Sequence, residues 1–313
     1  SGGCILLFSI INPDSYFHKS LMLKDLKQIT VIGLGLLGGS IVLGVSRSFI
    51  RTKVVGYAHR LSTRSKAGQL ATITEIVDSL KSSVSNADLV ILATPICTFE
   101  NIFDEICDAL PSGCIVTDVG STKVLPHRWA AKKLPKSVHY VGSHPIAGSE
   151  QRGIEFARDD LFERAMCILT TTEKTNKQAV RILKEFWSKL GCFVKLMRPP
   201  EHDRIFANVS HLPHVMAAAL MNSNSSNDLK FAGKGFIDTS RIASGPPSIW
   251  ADVLLTNTKY ATKSIDKLTG ELEKLKTAIK NENKRQVERM LETARNKRAA
   301  LIKYKMRKKE LVS

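Results

Sequence analysis

The stretch QITVIGLGLLG, Gln28 to Gly38, decides how the first half of this chain reads. Five uncharged residues rich in β-branched side chains run into Gly33-Leu34-Gly35-Leu36-Leu37-Gly38, the pattern G-x-G-x-x-G. Placed between a strand and a helix, that pattern is a phosphate-binding turn. The first glycine permits the tight turn, the second lets backbone approach a pyrophosphate, the third allows close packing of helix on strand, and the helix N-terminus faces the phosphates. Gly33, Gly35, Leu36, Leu37 and Gly38 are therefore candidate cofactor-binding residues. The run from Ile29 to Ser46 is uncharged over about the length of a membrane span, but its five glycines in this arrangement favour strand, turn and helix.

Outward from this turn, short apolar runs alternate with helical patterns. Strands are predicted at Ile29–Gly33, Lys53–Tyr57, Leu89–Thr94, Ile115–Val119 and Tyr140–Ser143, with helices from about Leu37 and near Phe99–Leu110. Buried strands spaced by amphipathic helices indicate a doubly wound parallel sheet. Met166–Thr171, a helix near Lys177–Leu190 and Phe193–Leu196 are expected to extend that same sheet. After Arg198-Pro199-Pro200 only helical patterns follow. The expected architecture is an α/β Rossmann-type dinucleotide-binding domain over residues 28–198, preceded by an extension at 1–27. An all-α domain at 199–313 follows, too small to bury its apolar faces alone and so expected to dimerise.

Composition narrows the function classes. A chain of 313 residues with 43% apolar residues is neither disordered nor a small disulfide scaffold. Its net charge is +17, and the stretch from Lys259 onward carries 17 Lys/Arg against 7 Asp/Glu. The basic end (Lys303, Lys305, Arg307, Lys308, Lys309) shows no aromatic interleaving beyond Tyr304, so a solvated helix end is expected and no nucleic-acid partner. The six cysteines (Cys4, Cys97, Cys107, Cys114, Cys167, Cys192) form no C-x-x-C pair and have mostly apolar neighbours, which fits thiols in a reducing, cytoplasmic setting with no metal. With Ile29–Ser46 read as strand, turn and helix no membrane partner is expected, and with no basic region ahead of Cys4–Ile11 no secretory signal.

The acidic residue that ordinarily takes a ribose 2′-hydroxyl should close the second strand, but that position reads Tyr57-Ala58-His59-Arg60. His59 and Arg60 there can meet a 2′-phosphate, which favours NADP, while an arginine stacked on adenine would leave NAD open. Thr94 and Pro95, ending the strand from Leu89, are expected to line the nicotinamide side.

Three polar clusters fall at strand ends or at the start of the helical half: Asp118-Val119-Gly120-Ser121-Thr122-Lys123, Ser143-His144-Pro145-Ile146-Ala147-Gly148-Ser149-Glu150, and Ser210-His211-Leu212-Pro213-His214. His144, between a strand and a Gly-rich turn beside the cofactor, is the candidate base. Together with GKGFIDTSRIASGPPSIW, residues 233–250, these motifs resemble the prephenate and arogenate dehydrogenases of tyrosine biosynthesis, in the family's order and over about residues 28–300. The resemblance implies oxidative decarboxylation of prephenate to 4-hydroxyphenylpyruvate with hydride transfer to NAD(P), or of arogenate to tyrosine. It assigns His144 as the base, Ser121 as the residue holding the substrate hydroxyl and His144 in register, and Arg241 as the anchor of the ring carboxylate. Ser210 and His214, expected on one helix face, would meet the pyruvyl arm, with His211 pointing elsewhere. Gly235 and Trp250 would close over the substrate, and Glu150 and Asp203 would pair with Arg241. Gln151, neutral where an acid could hold an amino group, favours prephenate. A 3-hydroxyacid dehydrogenase, an imine reductase or a non-catalytic NAD(P)-binding regulator would keep the phosphate loop but has no need of the histidine motifs.

Overall fold

The computed structural model describes residues 22–49, 51–69, 73–147, 151 and 153–307. After a short turn at Leu23–Asp25, the chain alternates β1 (Gln28–Ile32), α1 (Leu36–Ser48), β2 (Lys53–Tyr57), α2 (Leu61–Ala67), β3 (Glu75–Val77), α3 (Leu80–Val84), β4 (Leu89–Leu92), α4 (Phe99–Ile106), β5 (Ile115–Asp118), α5 (Val124–Lys133) and β6 (His139–Tyr140). The six strands pair in the order β3-β2-β1-β4-β5-β6, all parallel. The order reverses between β1 and β4, so their C-terminal ends open a crevice of the kind that takes a dinucleotide. Both faces are covered: Leu89 and Ile91 of β4 enter one apolar cluster and Val90 and Leu92 the other. That is why these strands read as continuous apolar runs rather than as alternation.

The expectation that the later strands extend this sheet is corrected. β7 (Gly142–Pro145), β8 (Met166–Thr170) and β9 (Phe193–Met197) form a separate three-stranded sheet, β7 antiparallel to β8 and β8 parallel to β9, with α6 (Lys177–Lys189) between the last two strands. The run predicted as one strand at Tyr140–Ser143 changes partner in its middle. Val141 N still donates to Val116 of β5, whereas Gly142 pairs with Thr170. A Cβ at position 142 would press into the Thr170 hydroxyl and the Lys123 side chain, so glycine is what lets the chain cross between sheets here. Apolar runs carry no signal for strand direction or partner. The sheets are tied by Ser143 Oγ, 2.7 Å from Thr117 Oγ1 and accepting a bond from Trp187 Nε1 at 3.0 Å.

From Pro199 every element is helical: α7 (Pro199–Phe206), α8 (Leu212–Asn222), α9 (Ser226–Leu229), α10 (Lys234–Ser240), α11 (Pro247–Thr256), α12 (Thr258–Lys280) and α13 (Lys284–Arg307). Pro199 and Pro200 open α7, where their missing N–H groups cost nothing. A π turn at Ala207–His211 joins α7 to α8, widening the helix where two histidines enter the interior. Leu272, Ile279, Leu291 and Leu301 on α12 and α13 are more than half exposed. Among the described residues no helix is long and apolar enough to cross a membrane, and no cluster of His, Cys, Asp or Glu is arranged to hold a metal.

Candidate active site

The phosphate loop sits at the β1/β4 crevice. Gly33 has φ +100°, which side-chain-bearing residues rarely adopt, and it is pinned by its N–H to the Tyr57 carbonyl at 2.8 Å. A Cβ on Gly38 would fall on the Gly33 carbonyl, so α1 can approach the turn only with glycine there. Gly35 precedes α1 with no side-chain cap, and a Cβ built on it meets nothing within 4 Å. Open space in front of uncapped helix N–H groups fits a pyrophosphate. Leu36 and Leu37 form the first turn of α1, partly buried against the core. Thr94 and Pro95 follow β4, with Thr94 Oγ1 2.8 Å from Thr98 Oγ1. His59 and Arg60 are exposed at the end of β2, whereas Arg64 is engaged with the Ala58 and His59 carbonyls at 2.8 and 3.1 Å.

His144, on β7, is half-buried, and its Nδ1 lies 2.8 Å from His202 Nε2. His202 Nδ1 in turn lies 2.8 Å from Asp203 Oδ1. The Phe206 ring stacks on His202 at 4.5 Å and packs on His144 at 4.8 Å. Burial, reinforced by His202 and the Lys123 cation, holds the His144 imidazole well below its usual range. Burial and then Lys123 push His202 down to about 2. Both rings are thus neutral near pH 7.

Beneath them, Lys123 and Asp118 are fully buried and paired, Lys123 Nζ donating to Asp118 Oδ1 at 2.5 Å and to the Gly120 carbonyl at 2.6 Å. The Tyr140 hydroxyl donates to Asp118 Oδ2 at 2.6 Å. Burial, then the Asp118 charge, raise the Tyr140 phenol well above its ordinary range. Ser121 is half-buried in the loop that joins β5 to α5.

The helical side adds a second cluster. Asn257 Nδ2 donates to the Asp203 carbonyl at 2.8 Å and reaches His211 Nδ1 at 3.2 Å, which leaves the His211 proton on Nε2. His214 stacks on Trp250 at 3.7 Å with the rings 10° apart, and His211 stands edge-on to Trp250 at 6.5 Å. Burial lowers His211 to about 4 and draws His214 down as well. His211 Nε2 and His214 Nδ1 are the two buried side-chain polar atoms without a hydrogen-bond partner among the described residues. The Ile242 backbone bonds the His214 ring, which sets the turn Arg241–Ser244 beside this cluster.

Two expectations change, those for His211 and Asp203. His211, expected to point away from His214, flanks the same tryptophan, because positions three apart share a helix face. Ser210 is half-buried at the wide π turn. Asp203 spends its carboxylate oxygens on the Lys123 and Val124 N–H groups and on His202 rather than on Arg241. Gly235 lies on the exposed surface of α10 with open space around it, and Gln151 and Arg241 are exposed. Glu150 lies outside the described residues. His202 was missed in the sequence. Its only trace was a polar Glu201-His202-Asp203 run at a helix start, where such residues ordinarily face water.

Comparison with known proteins follows the same division. Residues 43–196 match the prephenate dehydrogenase nucleotide-binding domain, and residues 198–293 match the prephenate dehydrogenase dimerization domain. The chain is 35% identical over 286 residues to prephenate dehydrogenase of Bacillus subtilis, covering 89% of this chain and 76% of that protein. It resembles the crystal structure of prephenate dehydrogenase from Aquifex aeolicus in complex with hydroxyphenyl propionate and NAD+ at 33% identity and TM-score 0.82, covering 88% of this chain and 98% of that one. Synechocystis arogenate dehydrogenase is similar at 29% identity and TM-score 0.76, covering 88% of this chain and 99% of the other. Matched by both family domains and by a relative 35% identical over 89% of its length, the chain belongs to the prephenate dehydrogenase family.

Proposed function

We propose that this chain is a cytoplasmic homodimeric enzyme that oxidises prephenate to 4-hydroxyphenylpyruvate, with residues 28–198 holding the nicotinamide cofactor and 199–313 closing over the substrate and pairing the protomers. The observation that carries the reading is His144: a neutral imidazole at a strand end beside the phosphate-loop sheet, its Nδ1 engaged by His202, so that Nε2 is the nitrogen to act as a base. A bound nicotinamide supplies the hydride acceptor. His144 takes the C4 hydroxyl proton as hydride leaves C4, and loss of CO2 completes the aromatic ring. Ser121 orients the hydroxyl. Arg241 holds the ring carboxylate, a task that suits a planar guanidinium. The pyruvyl arm faces Ser210 and His214, and a ligand carboxylate would accept from the orphaned Nε2–H of His211. Turnover measured with prephenate and with arogenate, each with NAD and with NADP, tests this reading, and the neutral Gln151 favours prephenate.

The cofactor preference is NADP, supported by the absence of a carboxylate after β2 and by the exposed Arg60. Arg60→Ala is expected to raise KM for NADP by about 10-fold or more, the size of one charge-assisted contact, with little change for NAD. Equal effects on both cofactors would give Arg60 an adenine-stacking role instead.

Arg241→Ala is expected to act chiefly on KM for prephenate, raising it about 10–150-fold with a small change in kcat, because an anchor holds ground and transition state alike. A KM equal to the parent's would move the carboxylate site elsewhere.

A further inference from the structure

We propose that His202 and Asp203 are positioning residues for the reaction, forming with His144 one hydrogen-bonded line. This line keeps the His144 proton on Nδ1, leaves Nε2 as the lone pair that meets the substrate hydroxyl, and shares the positive charge formed there. The inference deepens the proposed function and rests on His144 being its base.

The argument runs from the carboxylate outward. Asp203 is fully buried, yet its oxygens receive the Lys123 N–H at 2.7 Å and the Val124 N–H at 2.8 Å. These are the first N–H groups of α5, whose positive helix end favours an anion. Burial raises the Asp203 carboxyl while those two N–H groups oppose the rise. An ionised carboxylate only accepts, so the 2.8 Å contact to His202 Nδ1 places that ring's proton on Nδ1 and leaves its Nε2 as an acceptor. The 2.8 Å contact from His202 Nε2 to His144 Nδ1 then needs a proton from His144. The opposite assignment would set a lone pair of His202 against the carboxylate. His144 is thereby held as the Nδ1–H tautomer with Nε2 basic, by the logic that orients an imidazole through a buried aspartate, lengthened by one ring.

The surroundings make Asp203 the anion on which this line ends. Lys123, His202 and His211 bear on His144 from three elements, and Lys123, His211 and His127 bear on His202, all disfavouring added positive charge. The other nearby carboxylate, Asp118, is already paired with Lys123 and bonded by Tyr140. When His144 Nε2 takes the hydroxyl proton, the imidazolium is stabilised through the two polarised hydrogen bonds. No proton has to leave either ring, and Asp203 stays ionised.

The test combines kinetics with ring nitrogen NMR on the full chain. His202→Leu is expected to lower kcat by at least about tenfold, and by no more than the ~10²–10⁴-fold a base supplies, with KM for prephenate little changed. His202→Gln, whose side-chain carbonyl can accept from His144 Nδ1, should recover most of that loss. In a His144→Asn background, His202→Leu should add nothing, because it acts through the ring already removed. Spectra of 15N-histidine protein should show both His144 and His202 protonated on Nδ1. A parent-like kcat for His202→Leu, no recovery by Gln, an additive loss in the double variant or an Nε2–H tautomer of His144 would each overturn the inference. A fully active His144→Asn would instead remove the base reading itself.

Discussion

His144→Asn is expected to lower kcat by about 10²–10⁴-fold, the contribution of a general base, while the dissociation constant for the nicotinamide cofactor stays near the parent value. Asparagine keeps a polar side chain of moderate size and can still offer a hydrogen bond toward His202, but it has no lone pair basic enough to take a hydroxyl proton. The cofactor loop is built from β1 and α1, whereas His144 stands on β7 of the second sheet, so binding and chemistry should separate cleanly. Burial and then the neighbouring His202 and Lys123 hold the imidazole well below its ordinary range, so the parent ring is already unprotonated near pH 7. The rate should therefore fall only when the pH is taken well below that of an ordinary histidine titration. Single-turnover kinetics paired with cofactor titration checks the result, and unchanged kcat would remove His144 from the mechanism.

Lys123→Met is expected to destabilise the fold by about 3–5 kcal/mol, because it leaves the Asp118 charge buried without its cation. Both side chains have 0% exposure, so neither charge is solvated in the parent fold. The Tyr140 hydroxyl and Gly120 N–H still donate to Asp118, which moderates the loss without replacing the charge. The double variant Lys123→Met with Asp118→Asn should be more stable than the single one, since the uncompensated charge is then removed as well. Thermal unfolding at fixed protein concentration reads the difference, the concentration being held because dimerisation is linked to stability. A loss under about 1 kcal/mol would show that water or a rearranged partner reaches Asp118. The cation also helps to depress the His144 imidazole, so the same substitution should move the acid limb of the rate profile to higher pH.

Much of the fold was legible because it depends on local signals. Strand, G-x-G-x-x-G and helix specify a backbone shape that only glycine tolerates at Gly33 and Gly38, and that shape has one common use. The change to helix after Pro199 was equally readable, since proline opens a helix and strand-like runs stop there. The second sheet was not. Its strands have the same apolar character as those of the first, and the exchange of partner at Val141 depends on contacts between residues far apart in the chain.

The candidate site divides along the same line. By itself the sequence determined the dinucleotide turn, the two-part organisation and the polar motifs around Ser121, His144, Ser210, His214 and Arg241, because each is a pattern of neighbours whose residue types limit the chemistry. Only the tertiary structure decided which of them meet. It set His202 and Asp203 behind His144 and buried Lys123 on Asp118, and it brought His211 to the same tryptophan as His214. The physical reason is that a buried charge or imidazole takes its protonation and its tautomer from partners supplied by other elements. Asp203 is adjacent to His202 in the chain, yet the carboxylate is held by the first N–H groups of a helix about 80 residues earlier, an arrangement that exists only once the two domains have packed together.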